Sequence, residues 1–324
     1  MTTMFRAAVL VNLLALLSCG FTGPIVPLVD HHQHLFSPAI AAMLGGGPDQ
    51  SKGLSARDLI VLLDEARIRR AVVLSVAYMY GSPFRQVDDE YAKVKEENDW
   101  TAAQAAEYPG RLRAFCGFNP LRDYALAELE RCAATSGLRY GIKLHFANSD
   151  VRLDDPAHVE QLRKIFRAAN QHRMAIVVHL RANVSHNRPY GAEQARVFLS
   201  QMLPEAPDVP VQIAHLAGTG PGYHDLPADQ AMGVLAAAVQ RRDARTRNLW
   251  FDVAGLASAP MTVDEMTQLV RRIRQVGVDR ILYASDAAVS GNLPPREQWA
   301  AFQKLPLTEK ELTRIARNVA PYMK

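Results

Sequence analysis

From residue 25 onward the chain alternates between short runs that are apolar at nearly every position and longer stretches whose apolar residues recur every three or four places. The first kind reads as strands buried on both faces, the second as amphipathic helices. IVPLVDHHQHLF (25–36) predicts the first strand, and SARDLIVLLDEARIRR (55–70) a helix with Ser55 and Asp58 as a capping box and Leu59, Leu62, Leu63 and Ala66 as its apolar face. Further strands are predicted at 71–79, 112–120, 141–146, 174–180, 209–218, 249–255 and 280–288, with a helical stretch between each consecutive pair. Such strands pair in parallel, because each crossover lays a helix on the sheet. Eight units in roughly 300 residues predict the α/β class and a single (β/α)8 TIM barrel over 21–324, with a C-terminal closing helix at 308–322. An open doubly wound sheet calls for a glycine-rich turn after the first strand, where this chain has HLFSP.

Against that apolar background, polar residues fall late in strand after strand: His32 and His34, Lys143 and His145, His179, His215, Asp252 and Asp286. In a parallel barrel these ends converge on one mouth, where active sites of this architecture are built. His32 and His34 are two apart, so on a strand they point the same way, about 6–7 Å apart, and can pinch one divalent ion. By the same parity His31 looks outward, and Asp30 shares the ligand face, placed to orient one imidazole. Each residue has a plainer reading: a hydrogen-bonded core histidine, a helix cap at Asp286, a lysine reaching for the rim at Lys143. Their conjunction at one end of successive strands favours a metal centre. Three imidazoles and a carboxylate suit Zn²⁺, with Mn²⁺ and Fe²⁺ as alternatives.

These residues resemble the amidohydrolase superfamily, more narrowly its amidohydrolase-related branch of lactone hydrolases and aromatic-acid decarboxylases. The likeness runs from DHHQH through GIKLH, VVHL, IAHLAG and YASDA to ELTRIARNVAPYM. It implies one divalent metal ion held by His32, His34, His179 and Asp286, with His215 beside it as acid, base or carbonyl polariser and Asp286 as proton acceptor. It also implies an alternative, a binuclear site in which carbamylated Lys143 bridges two ions and His215 becomes a ligand. The leading expectation is a hydrolase that uses metal-activated water on a small-molecule amide, lactone or ester. Non-oxidative decarboxylation of an aromatic or unsaturated acid is the alternative, and a catalytically silent metal- or ligand-binding barrel the third. Arg181, Tyr78, Asn148 and Tyr223 are the candidate substrate contacts, Arg181 as partner for a substrate anion.

Composition adds less. With 324 residues, 48% of them hydrophobic, the chain can bury a large core. The net charge of +4 is spread over scattered Lys and Arg, with no aromatic-interleaved basic patch, so no nucleic-acid partner is expected. Residues 1–20 carry Arg6, an apolar run over 7–17 and then LLSC, a pattern of export signals and of a lipoprotein box at Cys19. Export, periplasmic or lipid-anchored at Cys19, is the expectation; a leader packed under a cytoplasmic fold is the alternative. The remaining Cys116 and Cys132 are expected as free buried thiols. Oligomeric state stays open, a dimer among the options.

Overall fold

A computed structural model describes residues 23–45 and 53–324; the leader read over 1–20, with Cys19, lies outside the described residues. Eight strands lie side by side in chain order, all parallel: β1 Val29–Gln33, β2 Arg70–Leu74, β3 Leu112–Gly117, β4 Gly141–His145, β5 Ala175–His179, β6 Val211–Ile213, β7 Leu249–Asp252 and β8 Ile281–Leu282. The backbone N–H of His31 donates to Tyr283 O (3.0 Å) and that of Asp286 to His32 O (2.9 Å), which brings the eighth strand back to the first. This is the expected (β/α)8 barrel.

Alternation along each strand sorts its side chains into two layers. In β2 and β5, Ala71, Val73, Ile176 and Val178 join the large cluster under the helices, while Val72, Leu74, Ala175 and Val177 face the smaller cluster inside the barrel. Phe115 fills that interior so closely that a Cβ on Gly141 would meet its ring at 2.2 Å, which fixes glycine at the start of β4. The crossover helices lie where the pattern placed them. Helix α1 is Pro38–Met43, and α2 is Ala56–Glu65, with the Ser55/Asp58 capping box formed. Then come α3 Glu90–Ala106, α4 Ala125–Ala134, α5 Pro156–Gln171, α6 Ala192–Val197, α7 Leu226–Gln240, α8 Val263–Val276, α9 Pro295–Phe302 and α10 Glu309–Arg317.

Five expectations are corrected. The closing helix is shorter than 308–322: it stops at Arg317, and Pro321 begins a separate turn. Ala320, Tyr322 and Met323 instead close the barrel floor against Val29, Val72 and Phe115. The first strand is shorter than 25–36 and carries an irregularity: Asp30 pairs with Ala71 but Gln33 with Val73, three steps against two. One extra residue reverses the parity of β1. His31 therefore does not look outward; it is fully buried, donates through Nδ1 to Tyr283 O (3.0 Å), accepts at Nε2 from Ala320 N (3.2 Å) and stands edge-on to Tyr322. Asp30 does not orient an imidazole, because its carboxylate is taken by Ser285, Gln33 and the His32 backbone N–H. Lastly, Cys116 and Cys132 are not free thiols. Helix α4 folds back on β3 and brings their Cα atoms to 6.2 Å, inside disulfide range, and the two sulfurs are bonded.

Candidate metal centre

Imidazoles and carboxylates meet at the carboxyl ends of the strands. Past the irregularity in β1, His32 and His34 bring their Nε2 atoms to 3.2 Å of each other. Their other ring nitrogens are committed: His34 Nδ1 donates to Leu74 O at 2.6 Å, and His32 Nδ1 to Asp252 Oδ2 at 3.1 Å. A carbonyl only accepts, so His34 carries its proton on Nδ1 and turns the Nε2 lone pair inward, as a metal ligand must. His215 is set the same way by Ala254 O at 2.9 Å. His145 is the opposite tautomer: its Nδ1 accepts from Asn148 N at 3.1 Å, so Nε2 bears the proton. Burial is the main cause that holds these rings neutral, pulling His32 down to about 3 and His34, His145, His179 and His215 below the usual histidine range; the Lys143 charge adds to it.

Asp252 is the anchor. Its two oxygens accept from His32 Nδ1, Gln212 Nε2 (2.6 Å), His215 N (2.8 Å) and Ala254 N (3.1 Å). Burial pushes its pKa up, but His32, His215 and these hydrogen bonds outweigh that and hold it below the carboxylate range. Asp286 is its counterpart. Burial raises its pKa well above normal against the pull of Lys143, Asn292 Nδ2 holds its Oδ2 at 3.2 Å, and its buried Oδ1 has no hydrogen-bond partner among the described residues. That oxygen lies 3.7 Å from His34 Nε2. Lys143, 1% exposed, puts Nζ 3.1 Å from His32 Nε2, and burial lowers its pKa to about 8. Both His215 and Asp286 sit at positive φ, 52° and 54°, a conformation costly for side-chain-bearing residues and recurrent at functional sites.

Ligand atoms of His32, His215 and Asp286 all lie within 4.8 Å of one another, so the group includes the residue that the resemblance set beside the ion. His179, an expected ligand, stacks on His145 (ring centroids 4.0 Å), stands 5.2 Å from the His215 ring and has a buried Nε2 with no partner among the described residues. Neutral imidazoles with inward lone pairs, beside the unpartnered atoms His179 Nε2 and Asp286 Oδ1, fit a divalent cation.

The substrate contacts expected from sequence divide. Tyr78 is buried with its ring 5.0 Å from His145, and Asn148 adjoins the same imidazole with a buried, unpartnered Oδ1. Arg181 is already engaged by Asp225 (2.6 and 3.4 Å) and lies over the Tyr190 ring. Tyr223 turns its hydroxyl to Asp229 on α7, within the network that Gln268 and Arg272 of α8 complete, and is not brought to the metal centre. Sequence reasoning missed the roles of Asp252, His145 and Asn292. The first two are late-strand polar residues and carried that signal; Asn292, on a loop, carried none.

The family model described as "Amidohydrolase" matches residues 29–320. No curated protein sequence matches the chain significantly. Among solved structures, a 2,6-dihydroxybenzoate decarboxylase complexed with 2,6-dihydroxybenzoate superposes with a TM-score of 0.62 at 18% identity, over 90% of this chain and 97% of that one. A dihydroxybenzoic acid decarboxylase of Polaromonas sp. JS666, with bound manganese and the inhibitor 2-nitroresorcinol, gives 0.59 at 16% over 90% and 95%. A protein of Acinetobacter baumannii assigned as a 2-pyrone-4,6-dicarboxylic acid hydrolase, with citric acid bound, gives 0.58 at 17% over 90% and 96%. At these identities the solved structures speak for the fold, whereas the family model spans nearly the whole barrel, strand-end histidines and aspartate included: the chain belongs to the amidohydrolase family.

Proposed function

We propose that this chain is a metal-dependent hydrolase of a small-molecule amide, lactone or ester, with one Zn²⁺ held by His32, His34, His179 and Asp286. The observation that carries the reading is the buried, unpartnered Oδ1 of Asp286 among neutral imidazoles. The ion, when bound, would polarise the substrate carbonyl and acidify water there. The protein's own groups supply the proton traffic. Asp286 Oδ1 is the acceptor: burial raises its affinity for a proton, while Asn292 fixes the other oxygen. His215, locked by Ala254 O with its own proton on Nδ1, presents a bare Nε2 that takes the proton on from Asp286 and releases it to the leaving group. Asp252 keeps His32 in its ligating tautomer and, through the His215 backbone N–H, ties the two rings together. Tyr78 and the stacked pair His145 and His179 wall one side and exclude water.

That aromatic wall also favours a second reading, decarboxylation of a planar aromatic acid, the activity named for two of the solved structures above. A screen in ¹⁸O-labelled water separates them. Hydrolysis places label in a product carboxylate, and Asp286→Asn lowers kcat by about 10²–10⁴-fold; release of CO₂ from hydroxybenzoates without turnover of any lactone, ester or amide would replace the first reading with the second.

A further inference from the structure

We propose that the end of the barrel opposite the imidazoles, where the strands begin, docks on an anionic phospholipid surface. Arg67 and Arg69 precede β2, Arg139 precedes β4, Arg173 precedes β5, and Arg241 and Arg242 follow α7 before β7. All six are exposed, and among the described residues none makes an ion pair with a carboxylate. Of the acids at this end, Asp64 pairs with Arg111 (2.5 Å), Asp243 with Arg245 (2.5 Å) and Asp208 with Arg247 (3.0 Å), while Glu65 and Glu107 make no ion pair among the described residues, so the arginines still outnumber the acids left open. Parallel topology gathers every strand start at one end, so these guanidinium groups share a single face.

Two further features choose lipid over nucleic acid. Leu28, 37% exposed, lines a hollow of about 630 Å³ together with Arg67, Arg69 and Arg70. A basic face that also exposes an apolar side chain suits an anionic lipid surface, where the arginines meet headgroup charge and the leucine meets the acyl boundary. Tyr140, an aromatic ring at this end, is covered by Arg113 at 4.4 Å and Arg139 at 5.9 Å, so it offers no open platform for a base.

The test is co-sedimentation of the full chain with phosphatidylcholine vesicles, pure or containing phosphatidylglycerol, at low and high salt. Each basic residue near an anionic surface strengthens binding about fivefold. The quadruple variant Arg67→Gln, Arg69→Gln, Arg139→Gln, Arg173→Gln is therefore expected to lose at least about a hundredfold in affinity for the anionic vesicles. Its side chains are exposed and make no ion pair among the described residues, so its melting temperature stays parental, and Arg196→Gln with Arg296→Gln, both exposed elsewhere, leaves partition unchanged. Equal binding to both vesicle types, indifference of the parent to salt, full binding by the quadruple variant, or displacement of the vesicles by a DNA duplex would each overturn the proposal. The salt response of the parent decides the matter even if the variant proves unstable.

Discussion

Asp252→Asn isolates what a carboxylate does beneath the metal centre. All four partners of Asp252 donate: His32 Nδ1 and Gln212 Nε2 to one oxygen, the backbone N–H groups of His215 and Ala254 to the other. An amide has one oxygen and one NH₂, so one pair of donors must face a donor. If the NH₂ faces the two backbone groups, neither can adapt, and two buried unsatisfied N–H groups cost about 2–6 kcal/mol. If it faces the side chains, His32 can escape by moving its proton to Nε2, which points a hydrogen into the centre and removes a ligand lone pair. The second arrangement costs the fold less and falls on the metal. Loss of a partner of this kind weakens metal binding by about 10–100-fold, or about 1.4–2.7 kcal/mol. The assay is competition with a chelating dye, read beside the nitrogen-15 shifts of the His32 ring in the metal-free protein. Parental affinity together with an unshifted His32 tautomer would refute the reasoning, because an amide cannot satisfy those four donors.

Glu97 is buried and receives the Ser37 hydroxyl at 2.5 Å, and burial raises its pKa to about 7. The folded state thus holds a proton that the unfolded chain releases near 4.5, so this group favours folding least at high pH: stability falls as pH rises from about 4.5 to 7, by up to about 3 kcal/mol. Glu97→Gln should flatten thermal stability between pH 5 and pH 8, and an unchanged slope would count against it. Cys116→Ser with Cys132→Ser opens a bridge with a separation of 16 residues and is expected to lower stability by about 3 kcal/mol in urea unfolding; parental unfolding under reductant would contradict it. Dialysis against a strong chelator should abolish turnover, and one equivalent of Zn²⁺ should restore it. Two ions per chain, with Lys143 heavier by the mass of CO₂ after growth with bicarbonate, would show the binuclear arrangement instead. Tyr322→Phe removes the hydroxyl that bonds Gln212 Oε1, and with it the restraint that aims Gln212 Nε2 at Asp252; a loss of about 1 kcal/mol is expected by thermal unfolding.

What the sequence makes legible follows from the range of the interaction concerned. Periodicity is local, so strands such as AIVVH in β5 and the capping box of α2 are readable from a few neighbours. Strand-end position is nearly local too, and it places His32, His34, His179, His215 and Asp286 at one mouth once the strands are taken as parallel. The partners of those residues follow no such pattern. Asp252 reaches His32 across 220 residues, and Asn292, though close to Asp286 in sequence, does so from a loop with no periodic signal, so neither contact leaves a trace in spacing. Arg181 illustrates the opposite error: a lone arginine beside a ligand candidate suggests an anion receptor, but Asp225, the N-cap of α7, takes its charge first.

Parity arguments fail for a specific reason at β1. They assume an unbroken two-residue repeat, and the one extra residue between Asp30 and Gln33 resets it, so that His31 and His32 both leave the helix-facing layer. The inversion is useful to the protein: His31 bonds the floor at Ala320 while its neighbour His32 faces the mouth, so a single strand secures both ends of the interior. The arginines show the complementary limit of a linear reading. The six exposed cations precede four strands, β2, β4, β5 and β7, with at least one strand and helix between one group and the next, and a linear scan records dispersed charge. In a parallel barrel residues one crossover apart in sequence are neighbours in space at the same end, so charge that repeats with the period of the β/α unit becomes a face. The appropriate window for charge in such a fold is the repeat itself, and on that scale this chain separates its chemistry, imidazoles where strands end and guanidinium groups where they begin.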